Sequence, residues 1–183
     1  MKLAEFYKLK PLERRSYWLK PELFKEGLKE LLNPKRYEHS LSVAKVAKSL
    51  ALAHHVDPRK AYLAGLLHDI TKYLSEEEAY NYLKYYDEDK LSDPKAIWHS
   101  YTAYYYLKEH LHLYDEEVLN AIYHHSDGLS HSKLAMIIYI ADKREPLRQI
   151  DDNILNLAYS DLYKAFEVLK CDVKEYVLKH GSK

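Results

Sequence analysis

A histidine and an aspartate stand side by side where an apolar segment of the chain ends. His68 and Asp69 follow the run Ala-Tyr-Leu-Ala-Gly-Leu-Leu at residues 61–67. Burying an imidazole beside an ionised carboxylate is costly unless another group compensates the charge. A divalent cation provides that compensation and also supports chemistry. The doublet therefore predicts a metal site whose other ligands come from elsewhere in the chain.

Two further ligand candidates lie on apolar faces of other predicted helices. Steps of three or four residues from His39 lead to Val43 and Leu50, so the imidazole is expected to face the core. Asp142 directly follows the most apolar stretch of the chain, residues 134–141. An unpaired carboxylate in such a place would cost several kcal/mol or would become neutral. Asp142 therefore requires a metal ion or a basic side chain close by.

Three more histidines are candidates. His125 shares a helical face with Val118 and Ile122 and is expected to point inward, and His99 follows a predicted helix start. His124, the neighbour of His125, is expected to be more exposed, although adjacent histidines can both coordinate a metal. The inward set that results is His39, His68, Asp69, His99, His125 and Asp142. Mixed imidazole and carboxylate ligands suit iron, manganese, zinc or cobalt.

A structural explanation competes with the metal site. A lone inward histidine is more often a satisfied core residue than a ligand. For Asp142, the alternative is a buried ion pair with Lys143 or Arg144, but these lie about 100° and 200° around the helix. We therefore expect neither to serve Asp142, and the convergence of six residues of ligand type favours a metal.

Basic residues accompany the ligand candidates at helical spacing. Arg36 precedes His39 by three residues and Lys72 follows Asp69 by three, while Arg148 lies just beyond the segment that carries Asp142. Cations beside a metal are what phosphoryl transfer needs, because the negative charge of the phosphate must be neutralised as water attacks. For each residue alone, a surface salt bridge is the competing explanation.

The elements that must position these side chains are predicted to be helices throughout. The chain has few glycines and no convincing alternation of period two, so the fold is expected to be all-α, a single bundle of about seven to eight helices. Capping signals occur at Asn33-Pro34, Asp57-Pro58, Asp93-Pro94 and Ser75 with Glu78. The predicted helices span residues 21–32, 35–55, 58–73, 76–86, 94–111, 115–126, 131–145 and 152–179. We expect residues 1–20 to form an N-terminal extension and residues 21–183 to form one domain.

The overall composition restricts the partners. Lysine plus arginine and aspartate plus glutamate both number 28, so no net field draws the chain to nucleic acid or to a membrane. The single cysteine, Cys171, excludes an internal disulfide, and the charged N-terminus does not resemble an export signal, so we expect a cytoplasmic protein. The tyrosine-rich segments 80–86 and 101–106 are expected to be packed or half-exposed helix residues, with a homodimer contact as a further role.

Several motifs resemble those of the HD-domain metal-dependent phosphohydrolases. The histidine, His-Asp doublet and distant aspartate match the order of that family. The flanks Arg-Tyr-Glu-His-Ser from residue 36, Ala-Gly-Leu-Leu-His-Asp-Ile-Thr-Lys from residue 64 and Ala-Asp-Lys-Arg-Glu-Pro-Leu-Arg from residue 141 look like its YqeK branch, the symmetrical bis(5′-nucleosyl)-tetraphosphatases. One departure is His-Ser-Asp-Gly at residues 125–128, where the branch usually has His-Thr-Thr-Gly or a similar motif, so Asp127 is expected to add negative charge near the polyphosphate site.

The resemblance implies an iron-dependent enzyme that cuts diadenosine tetraphosphate into two ADP with metal-activated water. It implies metal ligation by His39, His68, Asp69 and Asp142. It implies substrate binding by Arg36, Lys72, His99, His125 and Arg148. Asp69, His99 and His125 are the catalytic candidates, and His99 and His125 either contact substrate or hold a second metal. The alternatives are an HD hydrolase acting on a nucleoside monophosphate or cyclic dinucleotide, and a catalytically idle helical module that binds nucleotide or protein.

Overall fold

The computed structural model describes residues 3–10, 12–14, 20, 24–150 and 153–181, and within these ranges every regular element is helical. The predicted all-α fold is therefore confirmed. The helices are α1 (Leu3–Phe6), α2 (Lys25–Leu31), α3 (Pro34–Ala53), α4 (Pro58–Leu67), α5 (Glu76–Tyr86), α6 (Trp98–Glu109), α7 (Glu116–Tyr123), α8 (Lys133–Arg144), α9 (Ile154–Ser160) and α10 (Leu162–His180). Short 3₁₀ turns span Glu88–Ser92, Lys95–Ile97 and Pro146–Arg148.

Most of the predicted helix starts are confirmed by side-chain caps. The Asn33 side chain accepts a hydrogen bond from the backbone at the start of α3, and Asp57 does the same for α4. Ser75 and Glu78 form a reciprocal capping box at α5. The predicted cap at Asp93 is wrong. Its carboxylate accepts a 2.7 Å hydrogen bond from the Tyr101 hydroxyl instead, and the chain enters α6 through a 3₁₀ turn.

Helices α3 and α4 pack closely and form the centre of the site. A β-carbon added at Gly65 would lie 2.8 Å from the Cα atom of Ala44, so only a glycine fits between the two backbones. The small face that Gly65 shares with Ala61 and Ala64 is fully buried. This packing brings the end of α4, with the His-Asp doublet, against the helix that carries His39.

The predicted helix over residues 58–73 is too long, because α4 ends at Leu67. The Nδ1 atom of His68 donates to the Gly65 carbonyl at 2.8 Å. In a continuing helix that carbonyl would accept from the amide of Asp69. The backbone instead runs through consecutive turns closed by hydrogen bonds from Ile70 to Leu67 and from Lys72 to Asp69. The doublet thus lies just beyond the helix rather than inside its last turn.

The helix predicted over residues 152–179 is also wrong, because it is two helices, α9 and α10. Asp161 separates them with an extended backbone (φ −146°, ψ 89°), and its side chain accepts from the Lys164 amide to cap α10. An aspartate in this position favours a new helix start over a continuous helix. Residues 151 and 152 of the predicted helix lie outside the described ranges.

The described part of the N-terminal extension joins the main core. Phe6 of α1 is fully buried and contacts the Phe24 ring edge-on, with the centroids 5.3 Å apart. Residues 1–2, 11 and 15–19 of that extension lie outside the described ranges, as do residues 21–23 of the first predicted helix. In the part of the chain that the structure describes, none of the helices combines the length and the apolar character needed to cross a bilayer.

Candidate metal centre and phosphate site

Four of the predicted ligands converge at the junction of α3, α4 and α8. The Nε2 atom of His39 lies 3.1 Å from Oδ1 of Asp142 and 3.8 Å from Oδ2 of Asp69. The Nε2 atom of His68 lies 3.3 Å from Oδ2 of Asp69 and 3.6 Å from Oδ1 of Asp142. Two imidazole nitrogens and two carboxylate oxygens thus face one point. His39, His68 and Asp69 form a group whose donor atoms all lie within 4.8 Å of one another.

Asp69 also faces a second group of donors. Its other oxygen, Oδ1, lies 3.2 Å from Nε2 of His99 and 3.8 Å from Nε2 of His125. Asp69, His99 and His125 form another set of donor atoms within 4.8 Å of one another. Asp69 therefore stands between the two groups, with one carboxylate oxygen toward each.

Hydrogen bonds at Nδ1 orient the three most buried histidines. His68 donates to the Gly65 carbonyl at 2.8 Å, and His125 donates to the Ile122 carbonyl at 2.7 Å. A carbonyl only accepts, so Nδ1 carries the proton and the Nε2 lone pair of a neutral ring points into the site. Partners of this kind fix the tautomer of metal-binding histidines and increase their basicity.

Glu145 orients the third of these histidines, and we did not predict this role from the sequence. Its Oε1 atom lies 3.1 Å from Nδ1 of His39, and its side chain is 2% exposed. Its Oε2 atom accepts from the Leu147 amide at 2.7 Å. The available signal was a carboxylate three residues beyond Asp142 within the motif Ala-Asp-Lys-Arg-Glu-Pro. Glu145 therefore fixes the orientation of the His39 ring through Nδ1, and it is not itself one of the ligand candidates.

The residues present fit a divalent cation. The Nε2 atom of His68 is buried and has no hydrogen-bond partner among the described residues. Burial by itself would lower the pKa of His68, but the Asp69 and Asp142 carboxylates outweigh it and raise the pKa to about 10. Burial would raise the pKa of both carboxyls, yet each pKa is held well below its usual range, for Asp69 by His68 and hydrogen bonds from the histidines, and for Asp142 by Lys143 and the histidines. Two carboxylates and two imidazoles thus form a set of donors of the kind that binds divalent transition metals.

His99 and His125 differ in accessibility. Burial lowers the pKa of both imidazoles, and the pKa of His125 falls to about 4. The His125 side chain is 1% exposed, whereas that of His99 is 11% exposed. The Nε2 atoms of the two rings lie 3.2 Å apart, and the Ser126 hydroxyl approaches both. His99 is therefore the one that an entering molecule can reach.

The three predicted cations each contact a residue of the site. Arg36 donates to Oδ2 of Asp69 at 2.7 Å, and Arg148 donates to Oδ1 of Asp142 at 2.9 Å. The ammonium of Lys72 lies 3.2 Å from both ring nitrogens of His99, and burial lowers its pKa. Arg36 and Arg148 thus each pair with one of the two carboxylates, and Lys72 lies beside His99 in the second group of donors.

Our expectation that Lys143 cannot serve Asp142 is wrong. The Lys143 ammonium lies 3.4 Å from Oδ2 of Asp142 and also donates to the His125 carbonyl at 2.8 Å. The angle around the helix separates the Cα–Cβ bonds, but the long, flexible lysine chain folds back across the Tyr139 ring, 3.7 Å from its centroid. Lys143 therefore helps to neutralise Asp142 from the core side.

The departure at residues 125–128 does not add a free charge to the phosphate site. The carboxylate of Asp127 lies 3.0 Å from Nδ1 of His124 and accepts from the Leu129 amide at 2.9 Å. Burial would raise its pKa, but His124 and these hydrogen bonds lower it. His124 is therefore turned toward Asp127, and its lesser role stays a prediction.

The fold and the site match those of a known protein family. The HD domain family matches residues 36–147, which include every predicted ligand from His39 to Asp142. The chain belongs to the HD domain family. The resemblance inferred from the motifs is thereby confirmed, and so is the all-α fold that it implied.

Named relatives of this HD domain chain include tetraphosphatases. The symmetrical bis(5′-nucleosyl)-tetraphosphatase of Staphylococcus aureus is 38% identical over 76% of this chain and 74% of its own length. The probable nicotinate-nucleotide adenylyltransferase/Ap4A hydrolase of Mycoplasma genitalium is 35% identical over 76% of this chain and 42% of its own length. The chain thus spans about two fifths of the Mycoplasma relatives.

A crystal structure supports the same fold. The protein described as a predicted HD superfamily hydrolase involved in NAD metabolism from Clostridium acetobutylicum superimposes with a TM-score of 0.80. It is 33% identical in sequence, and the match covers 88% of this chain and 89% of that protein. The HD domain architecture therefore extends beyond the segment from residue 36 to residue 147 and takes in most of the chain.

Proposed function

We propose that this protein hydrolyses diadenosine tetraphosphate symmetrically to two ADP. The observation that carries the proposal is Asp69, whose two oxygens face two groups of histidines, with Arg36 on Asp69, Arg148 on Asp142 and Lys72 on His99. Cations of this kind neutralise phosphate charge, and histidines with carboxylates hold the metals used in phosphoric anhydride hydrolysis. Relatives named as symmetrical tetraphosphatases support this choice of substrate.

His39, His68, Asp69 and Asp142 are the proposed ligands of the catalytic ion. When bound there, a divalent ion supplies Lewis acidity and lowers the pKa of water. The imidazoles and carboxylates suit iron, which the family resemblance implies, and also manganese, cobalt or zinc. Metal analysis of the protein purified without chelators tests the proposed preference for iron.

Arg36, Lys72 and Arg148 are the proposed binders of the bridging phosphates. Arg36 and Arg148 each contact a ligand carboxylate through one guanidinium nitrogen, and their side chains are 29% and 37% exposed. Their partly exposed positions put positive charge at the entrance to the buried ligands. Phosphate oxygens bound there would exchange part of each arginine–carboxylate contact for a charge-assisted bond to substrate.

His99 is the proposed proton donor to the departing ADP, because the negative charge of bound phosphate would raise its pKa and restore its proton, and His125 supports it. His99 is the more accessible ring, and it contacts both Asp69 and Lys72. His125 is buried and fixed by Ile122, so it is better suited to hold His99 or a second ion than to meet substrate. A general acid contributes about 10²–10⁴-fold to the rate of such a step.

The products of digestion test the proposal. Chromatography of diadenosine tetraphosphate treated with the iron- or manganese-loaded protein should give ADP alone. Asp69→Ala should abolish turnover and preserve the helical circular dichroism spectrum, because Asp69 lies in a turn and not within a helix. ATP plus AMP would contradict symmetric cleavage. Activity confined to nucleoside monophosphates or cyclic dinucleotides would favour the other hydrolase, and inactivity with no bound metal would favour the idle module.

Three further expectations from the sequence stay predictions. They are the domain division at residue 20, a cytoplasmic location and a homodimer formed through the tyrosine-rich segments. Within the described residues, those segments line a groove on α5, α6 and α7 in which the rings of Tyr86 and Tyr105 stack 4.9 Å apart. Sedimentation of the purified protein tests the homodimer.

A further inference from the structure

A second compartment opens beside the candidate metal centre. It is a cavity of about 350 Å³ between residues 71–79, which follow α4, and residues 95–99, which lead into α6. Its lining includes Lys72, Leu74, Ala79, Ala96, Trp98 and His99. Lys72 and His99 are also part of the phosphate site, so the cavity is continuous with that site.

The chemistry of the cavity changes along its length. At its inner end, Lys72 and His99 contact each other, and His99 lies 3.2 Å from Asp69. Its remaining wall contains the apolar and aromatic side chains of Leu74, Ala79, Ala96 and Trp98. A nucleotide has the same distribution, because charged phosphates adjoin a largely apolar, planar base. The cavity therefore matches a nucleotide better than it matches an inorganic phosphate.

The size of the cavity limits its occupant. Binding pockets for small molecules typically measure about 300–1,000 Å³. At about 350 Å³, this cavity is near the lower end of that range. The methyl side chains of Ala79 and Ala96 leave this space open, and a larger side chain at either position would fill part of it. A volume of this size suits a single nucleoside.

An ion pair between Lys95 and Glu76 stands at the outer rim. Both side chains are more than half exposed, and the Lys95 ammonium lies 5.9 Å from the centroid of the Trp98 ring. Exposed pairs of this type contribute little to stability. The pair can therefore open at small cost, which gives an entering base access to the wall that contains Trp98.

We propose that this cavity binds one nucleoside of the dinucleotide substrate. The inference rests on the proposed function and adds a position for one half of the substrate. With the base and ribose between Ala79 and Ala96, the attached phosphates pass Lys72 and His99 and reach Asp69. The outer cavity thus sets affinity for the nucleoside, and the inner cations set affinity for the phosphate chain.

Equilibrium binding separates these two contributions. The ligands are a diadenosine tetraphosphate with a methylene group in place of the central bridging oxygen, and inorganic tetraphosphate, which has no nucleoside. Both are titrated by calorimetry into the Mn²⁺-loaded protein. Ala96→Leu fills the cavity at an exposed position of a 3₁₀ turn, and Ala53→Leu makes the same change at the exposed end of α3.

Ala96→Leu should weaken binding of the dinucleotide analogue about tenfold or more, because stacking and apolar contact with one base account for a factor of that order. Inorganic tetraphosphate should bind within about twofold of its original affinity, since its contacts lie at the inner cations. Ala53→Leu should change neither affinity. Equal effects of Ala96→Leu on both ligands, or no effect on the analogue, would overturn the assignment.

A second measurement does not depend on the variant. A dinucleotide carrying 8-azidoadenine should photolabel wild-type residues 74–79 or 95–98, as mapped by mass spectrometry of peptides. Absence of label from both segments would also overturn the assignment. Failure of the proposed function has a different signature, because it appears as absent or asymmetric turnover of diadenosine tetraphosphate by the wild-type protein. The assignment of the cavity to a nucleoside is tested only by the binding and labelling experiments.

Discussion

Glu145 should control metal affinity through His39 without touching the metal itself. Its carboxylate is 2% exposed and lies 3.1 Å from Nδ1 of His39, whose Nε2 atom faces Asp142. In Glu145→Ala the Nδ1 proton loses its acceptor, so the ring can adopt the other tautomer or rotate. Either change turns a lone pair away from the metal position. We expect weaker metal binding and slower turnover at limiting metal.

Two estimates of the size of this effect agree. A hydrogen bond to a charged group contributes about 1.5–3 kcal/mol. Loss of an outer partner of a metal-binding histidine typically reduces metal affinity by about 10–100-fold. At about 1.4 kcal/mol for each factor of ten, that range corresponds to roughly 1.4–2.8 kcal/mol. Glu145→Gln keeps one acceptor oxygen, which His39 and the Leu147 amide must share, so its loss should be smaller.

Mn²⁺ titration followed by calorimetry, with a chelator as competitor, measures the dissociation constant. Glu38→Ala is the matched control, because Glu38 adjoins His39 in sequence and is exposed on the outer face of α3. Circular dichroism and the melting temperature show whether each variant folds. A folded Glu145→Ala protein with the affinity of the wild type would refute the argument, and so would an equal loss in Glu38→Ala.

Two further predictions concern stability. Gly65→Ala should destabilise the protein by about 1–3 kcal/mol, since the new methyl group would lie 2.8 Å from the Cα atom of Ala44; urea unfolding measures this, and an unchanged midpoint would contradict the close packing of α3 and α4. Adding Mn²⁺ at about 100 times its dissociation constant to chelator-treated protein should stabilise it by about 2.7 kcal/mol. Differential scanning calorimetry should show a higher melting temperature in the wild type and little change in Asp69→Ala, and an equal shift in both would contradict the ligand assignment.

The helices that carry the site were largely predictable because their boundary signals are local. Asn33-Pro34, Asp57-Pro58 and the Ser75 capping box act within one turn of the chain, and the structure starts a helix at each. Asp93-Pro94 has the same local signal, but Tyr101 binds the Asp93 side chain first. A hydrogen bond to a residue beyond the first turn, here Tyr101, thus takes the place of the cap.

The inward direction of the ligand candidates was also predictable. His39 shares its face with buried Val43 and Leu50, as helical periodicity predicts. His125 is buried as predicted, although it lies in the turn just after α7 and not on the helical face of Val118 and Ile122. The end of α4 at Leu67 was not predictable from periodicity, because the His68 side chain takes the Gly65 carbonyl and the apolar pattern does not record that competition.

The sequence by itself determined the chemical types in the site, the helices that carry them and the family to which the chain belongs, because these depend on local pattern and motif order. The tertiary structure decided which oxygen of Asp69 faces which histidines, that Glu145 orients His39, and that Lys143 reaches Asp142. It also placed a cavity beside Lys72 and His99. These contacts join residues far apart in sequence or depend on side-chain reach, so only the packing of the helices sets them.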